Sequence, residues 1–325
     1  MTTAPAAPSP KPLAPAPERL PTEPEAIFVC GVARSGTTMM RYVLETSPRI
    51  AIARENHFMG HVLGRRGARH FFRDAGDLKD DAAVRRVVDM IYSGEYERRA
   101  GWRRPSPFWF WLKDTVARDE VERRLLAAER SERGMFQTFL RIYADASGRP
   151  VMGEKTPTHL NYVDTLLEWF PGARVIHMLR DPRAVYVSDK YRRQKRGRWP
   201  YSWFDKVPGV LSTYLLILTI IAWRRAARLH PRLAAAHPEQ YRMFRFEDVV
   251  EKPTEILPQV FEFVGVAMPD SAMRVQTPPA HGMRSGEEGI DPKAASRWRE
   301  RIHPFARRIL ELFLSGPMRR YGYVD

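Results

Sequence analysis

The sequence predicts an α/β fold, a central parallel sheet flanked by helices on both faces. Short β-rich runs at 26–31, 50–53, 151–154, 174–179 and 241–246 alternate with helical patterns at 37–45, 158–170, 182–193, 210–229 and 255–264. The 325-residue chain is 44% apolar and 11% aromatic, enough for a substantial core, which excludes a wholly disordered or fibrous chain. In a sheet of this kind ligands bind beyond the carboxyl ends of the strands, where the strand order reverses.

The amino-terminal 24 residues hold eight prolines among Ala, Ser and Thr, so residues 1–25 are expected to be a disordered, extended tail. That stretch lacks the cationic start and apolar run of a secretory signal. A single domain is expected over 26–325. Within it, 64–149 reads as a mostly helical insertion over the sheet mouth, with aromatic residues at Trp102 and at 108–111. The longest apolar run, 207–223, contains Pro208 and is closed by Arg224 and Arg225. It falls short of the roughly 20 apolar residues of a membrane span and reads as a buried core helix rather than a transmembrane segment. Peripheral membrane contact stays open, as does the oligomeric state. Cys30 is the single cysteine, which excludes an internal disulfide and a multi-cysteine zinc site and suits a cytoplasmic setting. The 53 Lys and Arg exceed the 38 Asp and Glu, a net charge of +15. Most of the cations are Arg, whose planar fork suits phosphate and sulfate.

The first strand runs into Gly31-Val-Ala-Arg-Ser-Gly-Thr-Thr38 and then the apolar helix of 37–45. Two glycines allow close backbone approach, and the free N–H groups at a helix start attract an anion. The spacing is that of a nucleotide P-loop, but Thr37 stands where that loop carries its lysine, and Arg34 supplies charge from within the loop. A terminal sulfonate carries less charge than a terminal phosphate and needs a metal clamp less. Arg34-Ser-Gly-Thr-Thr38 resembles the 5′-phosphosulfate loop of the sulfotransferases that use 3′-phosphoadenylyl sulfate (PAPS), most closely their tyrosylprotein-sulfotransferase-like bacterial branch. The resemblance implies a P-loop nucleoside-triphosphate-hydrolase-like fold, PAPS as cosubstrate, no metal, and Arg34, Ser35, Gly36, Thr37 and Thr38 around the 5′-phosphate and sulfonate.

The strand 174–179 ends in Arg180-Asp-Pro-Arg183, where Asp181 is suited to cap a helix and Pro182 to begin it. Arg180 then leaves the strand end at the sheet mouth. The resemblance makes this the 3′-phosphate site, with Arg180 and Ser188 as ligands and Arg192 a further nucleotide contact. Two phosphate anchors on one sheet edge select for a bisphosphorylated nucleotide. The basic run onward from Lys190 reads in its distal half as a solvated face.

Sulfonate transfer to a hydroxyl needs a base on the incoming oxygen and positive charge on the one that leaves. Glu55 follows the second strand, 21 residues after Arg34, the register of the catalytic Glu in the resembling branch. His57, two residues on and on the same face of an extended chain, is the rival base. Lys155 ends the third strand before Thr156-Pro157, and in the resembling family the Lys of Gly-Glu-Lys-Thr-Pro stabilises the leaving oxygen. His159, in the first turn after it, is either an acceptor contact or a surface histidine. Towards the carboxyl end the match thins. Phe246 stands where closer relatives carry Tyr, and the segment around Arg284, Ser285 and 293–298 is similar to the family's nucleotide-covering loop, with Arg297 and Ser285 as contacts.

The function expected is therefore in-line sulfonate transfer from PAPS to an acceptor hydroxyl on a carbohydrate, lipid, small molecule or peptide tyrosine. The alternatives are a P-loop kinase using Mg-ATP, against which the missing lysine speaks, and a non-enzymatic nucleic-acid or polyanion binder. No nucleic-acid partner is expected of the enzyme.

Overall fold

A computed structural model describes residues 13–63, 74–95, 106–194, 207, 209–275 and 289–324. Five parallel strands, β1 (Ala26–Gly31), β2 (Ile50–Ala53), β3 (Val151–Lys155), β4 (Arg174–Leu179) and β5 (Tyr241–Arg245), form one sheet in the order β2-β3-β1-β4-β5. β1 and β2 are continuous apolar or small-residue runs buried on both faces, as strands of a covered parallel sheet are, and β3 and β4 are nearly as buried but admit Glu154, Lys155 and His177. β1 lies between β3 and β4, so the chain reverses direction across the sheet there, and a crevice opens at the carboxyl ends. The register aligns those ends: Val29 pairs with Lys155, Ala53 with Glu154 and Gly31 with Met178.

The helices are α1 (Thr37–Glu45), α2 (Phe58–Leu63), α3 (Asp81–Tyr92), α4 (Pro107–Thr115), α5 (Arg118–Ala127), α6 (Glu132–Ala146), α7 (Val163–Trp169), α8 (Pro182–Gln194), α9 (Val210–Ala236), α10 (Phe246–Glu251), α11 (Pro253–Val264) and α12 (Pro304–Arg320). Side chains alternate across the strands, so each sheet face has its own core. Ile27, Val29 and Ile52 join Met40 and Val43 of α1 and Leu257 and Phe261 of α11. Phe28, Ala53 and Met152 join Phe136 and Phe139 of α6 and Trp223 of α9.

Three expectations change. Residues 13–25 are not an unpacked tail: Glu23 is buried and bonds Arg49 at 2.7 and 2.8 Å, and the Ala16 N–H donates to Asp145 at 2.9 Å. Prolines hold this stretch extended, and charged neighbours fasten it. Within the supposed insertion, α6 covers the sheet at β2 and β3 instead of roofing the mouth, burying Phe136, Phe139, Leu140 and Ile142. The aromatics at 108–111 divide: Phe108 and Trp109 are buried against Phe139, whereas Phe110 is 41% exposed; Trp102 lies outside the described residues. Finally, β5 stops at Arg245, and Phe246 begins α10.

Candidate active site

The loop after β1 turns through left-handed backbone at Gly31 (φ 148°), Arg34 (φ 75°) and Gly36 (φ 93°) before α1 begins. A Cβ at Gly36 would collide with the Phe246 ring, so only glycine fits. No side chain caps α1 and its first turn holds no carboxylate, leaving a positive helix end facing the crevice. Beneath it, buried Ser35 keeps a hydroxyl without a hydrogen-bond partner among the described residues.

Beside this loop, the chain leaving β2 places Glu55 2.6 Å from the ammonium of Lys155 at the end of β3. A third of the Glu55 side chain is open to the crevice, at 33%, whereas Lys155 is 6% exposed. Burial raises the Glu55 carboxyl, but the charge and hydrogen bond of Lys155, with His57 and Arg192 behind them, outweigh it and leave the group below its ordinary value. His57, in the left-handed region at φ 56°, sits 3.9 Å from Glu55. Burial lowers its imidazole against the pull of Glu55, so it is neutral at pH 7.

The turn that carries these two groups is held from both sides. From β3 and the residue that follows it, buried Glu154 and Thr156 accept the Asn56 N–H at 3.4 and 3.3 Å. From the start of α4, the Ser106 hydroxyl and the Phe108 N–H donate to the Glu55 carbonyl, and the Trp109 indole N–H donates to the Asn56 carbonyl at 3.1 Å. Glu154 also lies 2.9 Å from His159, and both are fully enclosed. His159 is therefore neither a surface residue nor an acceptor contact.

The second anchor meets the first directly. The Arg34 guanidinium donates to Ser188 at 3.0 Å, and Arg180 donates to the carbonyls of Arg34 at 3.2 Å and Ala294 at 2.8 Å. Arg180 lies over the Phe246 ring at 4.0 Å, so the residue that replaces Tyr supplies a flat platform in place of a hydroxyl. Burial lowers the Arg180 guanidinium, with the carboxylates of Glu247 and Asp181 opposing. Asp181 follows its expected role, accepting the Arg183 N–H at 2.8 Å, and its own N–H donates to Glu247 at 3.0 Å. Arg192 bonds Asp189 at 2.9 Å, and Arg297 bonds Asp291.

Arg34, Gly36, Thr37, Thr38, Glu55, His57, Lys155, Arg180, Ser188, Arg192 and Arg297 thus line one cleft of about 720 Å³. Ser35 lies just under its floor, and Ser285 falls outside the described residues. Seven arginines and Lys155 face two carboxylates, Glu55 and Asp291, across this space. Arg180 and Arg192 each keep a buried Nε without a hydrogen-bond partner among the described residues. Buried donors and an excess of cationic side chains in the lining fit a polyanionic nucleotide. Among the described residues, no group of three His, Cys, Asp or Glu is placed to hold a metal ion. Sequence reasoning missed Arg41, Arg54, Tyr191 and Arg301 in the lining, and Glu154, Ser106 and Trp109 behind it. The signal for Glu154 was present: a charged residue inside an otherwise apolar strand is rarely there without a partner.

Comparison with known proteins gives a consistent picture. The model of the Sulfotransferase family matches residues 24–270. The protein-tyrosine sulfotransferase of Drosophila melanogaster is 22% identical over 285 residues, covering 84% of this chain and 46% of that protein. The omega-hydroxy-beta-dihydromenaquinone-9 sulfotransferase of Mycobacterium tuberculosis is 28% identical over 116 residues, 34% of this chain and 28% of that one. The chain thus spans less than half the length of these curated relatives. Among solved structures, the sulfotransferase domain of the Synechococcus PCC 7002 olefin synthase superposes with a TM-score of 0.51 at 20% identity, covering 92% of this chain and 95% of that domain. The sulfotransferase domain from the curacin biosynthetic pathway gives 0.51 at 17% identity, covering 89% and 97%.

Proposed function

The chain belongs to the sulfotransferase family, and we propose that it moves a sulfonate from PAPS to an acceptor hydroxyl in this cleft. The observation that carries the reading is the Glu55–Lys155 contact of 2.6 Å at the edge of a lysine-free phosphate loop. Glu55, ionised at neutral pH, takes the acceptor proton as the acceptor oxygen bonds to sulfur. Lys155 donates to the bridging oxygen as its bond to sulfur breaks, and adenosine 3′,5′-bisphosphate leaves. His57 is close enough to tune Glu55 or to replace it as the base. The start of α1, with Ser35, Thr37 and Thr38, would hold the 5′ end of the donor, and Arg180, Ser188 and Arg192 the 3′-phosphate; Arg34, bonded to Ser188, bridges the two.

Thermal-shift titration tests the donor assignment. Adenosine 3′,5′-bisphosphate is expected to raise Tm at micromolar concentration without added metal, and turnover is expected with a hydroxyl acceptor from a panel that includes phenols, sugars and long-chain alcohols. Stabilisation by Mg-ATP alone would assign the cleft to a kinase.

A further inference from the structure

Helix α9 was expected to be a core helix, yet only one side of it is buried. Leu215, Leu216, Thr219 and Trp223 face the core, while Tyr214, Ile217, Leu218 and Ile221 are 37%, 52%, 37% and 60% exposed. At 100° per residue these four share one side, and Arg224, Arg225 and Arg228 continue it, all exposed. No ion pair joins those three arginines among the described residues.

The position of this face is fixed by two contacts. The Trp223 indole N–H donates to the Arg180 carbonyl at 2.8 Å, level with the carboxyl end of β4, and His230 meets Tyr241 at the start of β5. The helix therefore runs antiparallel to the strands, and 210–222 rises past the sheet edge by roughly 20 Å at about 1.5 Å per residue. It does so behind α8, whose Val187, Ser188 and Tyr191 line the cleft. The apolar face thus stands on the same side of the molecule as the cleft mouth.

Three occupants compete for it. The helix is long and apolar enough to cross a bilayer, but its inner side is committed to the core through Trp223. A second copy of the chain would bring the same three arginines against this face in a protein of net charge +15. An anionic bilayer satisfies both halves, taking the apolar side chains into the acyl boundary and the guanidinium groups at lipid phosphates, with Tyr214 at the interface. We propose that the outer face of α9 docks the protein on an anionic phospholipid surface.

Co-sedimentation of the full chain with vesicles tests this. Binding is expected to vesicles of equal phosphatidylglycerol and phosphatidylcholine, and not to phosphatidylcholine alone. Ile217→Glu/Ile221→Glu is expected to abolish it. Replacing Arg224, Arg225 and Arg228 by Gln should weaken it about fivefold per residue, on the order of a hundredfold in all. Stabilisation by adenosine 3′,5′-bisphosphate should be unchanged in both variants, which shows that the fold and cleft are intact. Wild-type protein that ignores anionic vesicles, variants that sediment as well as wild type, or a wild-type dimer that Ile217→Glu/Ile221→Glu converts to monomer would each overturn the proposal. The donor reading fails separately, if the bisphosphate does not stabilise a protein that still binds vesicles.

Discussion

Lys155→Met is the sharpest test of the chemistry, because it keeps the stem of a buried side chain and removes only the ammonium. Two effects follow from the 2.6 Å contact with Glu55. Loss of a preorganised donor to the leaving oxygen costs about 3–4 kcal/mol of barrier, a fall of roughly 10²–10³ in kcat. The second effect is on the base. Burial raises the Glu55 carboxyl and Lys155 is the largest opposing influence, so its removal lets the carboxyl climb. A depressed carboxyl is ionised and competent above its folded value and loses the proton-accepting form as pH falls through that value. The acid limb of kcat/KM should therefore lie below the ordinary Glu value of about 4.3 in wild type and move to higher pH in the variant. The assay is release of adenosine 3′,5′-bisphosphate at saturating donor from about pH 3 to 9, with Tm as the check on folding. A loss in kcat under about tenfold, or an acid limb that does not move, would refute the assigned roles.

Other outcomes follow from the same geometry. Glu55→Gln should abolish the acid limb and lower kcat by about 10²–10⁴, while His57→Gln keeps the limb; the reverse pattern would make His57 the base. Arg180→Ala removes the guanidinium stacked on Phe246 and should weaken adenosine 3′,5′-bisphosphate binding about 10–100-fold by calorimetry, with a change under threefold counting against the second anchor. Glu23 is held below the usual carboxylate range chiefly by the Arg49 hydrogen bond, so its contribution is present above its unfolded value and disappears as pH falls through the folded one. Glu23→Ala should cost about 1 kcal/mol, roughly 3 °C in Tm, at pH 7, and progressively less at an acid pH below the folded value, where wild-type Glu23 is protonated. An equal cost at both pH values would mean that packing, not charge, fastens residues 13–25.

The strands and phosphate loop were legible because their signals are local. A buried parallel strand is a largely apolar run, and Arg180 and Lys155 matter because Arg180 follows β4 and Lys155 ends β3 at the sheet mouth. What escaped depends on residues far apart in the chain. The hold of Ser106 on the Glu55 carbonyl spans 51 residues, and that of Arg34 on Ser188 spans 154. Hydropathy alone could not separate the two sides of α9, because an apolar run looks the same whether its outer half meets core or lipid. The helix also continues to Ala236, past the end of the apolar run, on the strength of Ala226, Ala227 and Leu233 packed inward. Helix α12 was readable, with Ala306, Leu310, Leu314 and Met318 at four-residue spacing, but it lies beyond the motifs that led the reading.

Glu154 is enclosed behind the two groups proposed to act on substrate, and its contacts hold their backbone. Its carboxylate is fully enclosed, takes the Thr156 hydroxyl and the Asn56 N–H, and lies against His159. The backbone on either side holds the two groups proposed to carry the reaction, Lys155 on one strand and Glu55 on the turn beside it. Glu154→Ala would leave buried donors unsatisfied at about 1–3 kcal/mol and loosen the turn. As a positioning residue it should lower kcat about tenfold or more, since an ångström of misplacement costs up to roughly a hundredfold. Binding of adenosine 3′,5′-bisphosphate and the position of the acid limb should stay put, because the Glu55–Lys155 charge pair is retained. A merely structural role predicts the opposite split: Tm falls, while the folded fraction turns over at the wild-type rate. Single-turnover kinetics on protein held well below its Tm separates the two, and an unchanged rate constant there would remove Glu154 from the catalytic account.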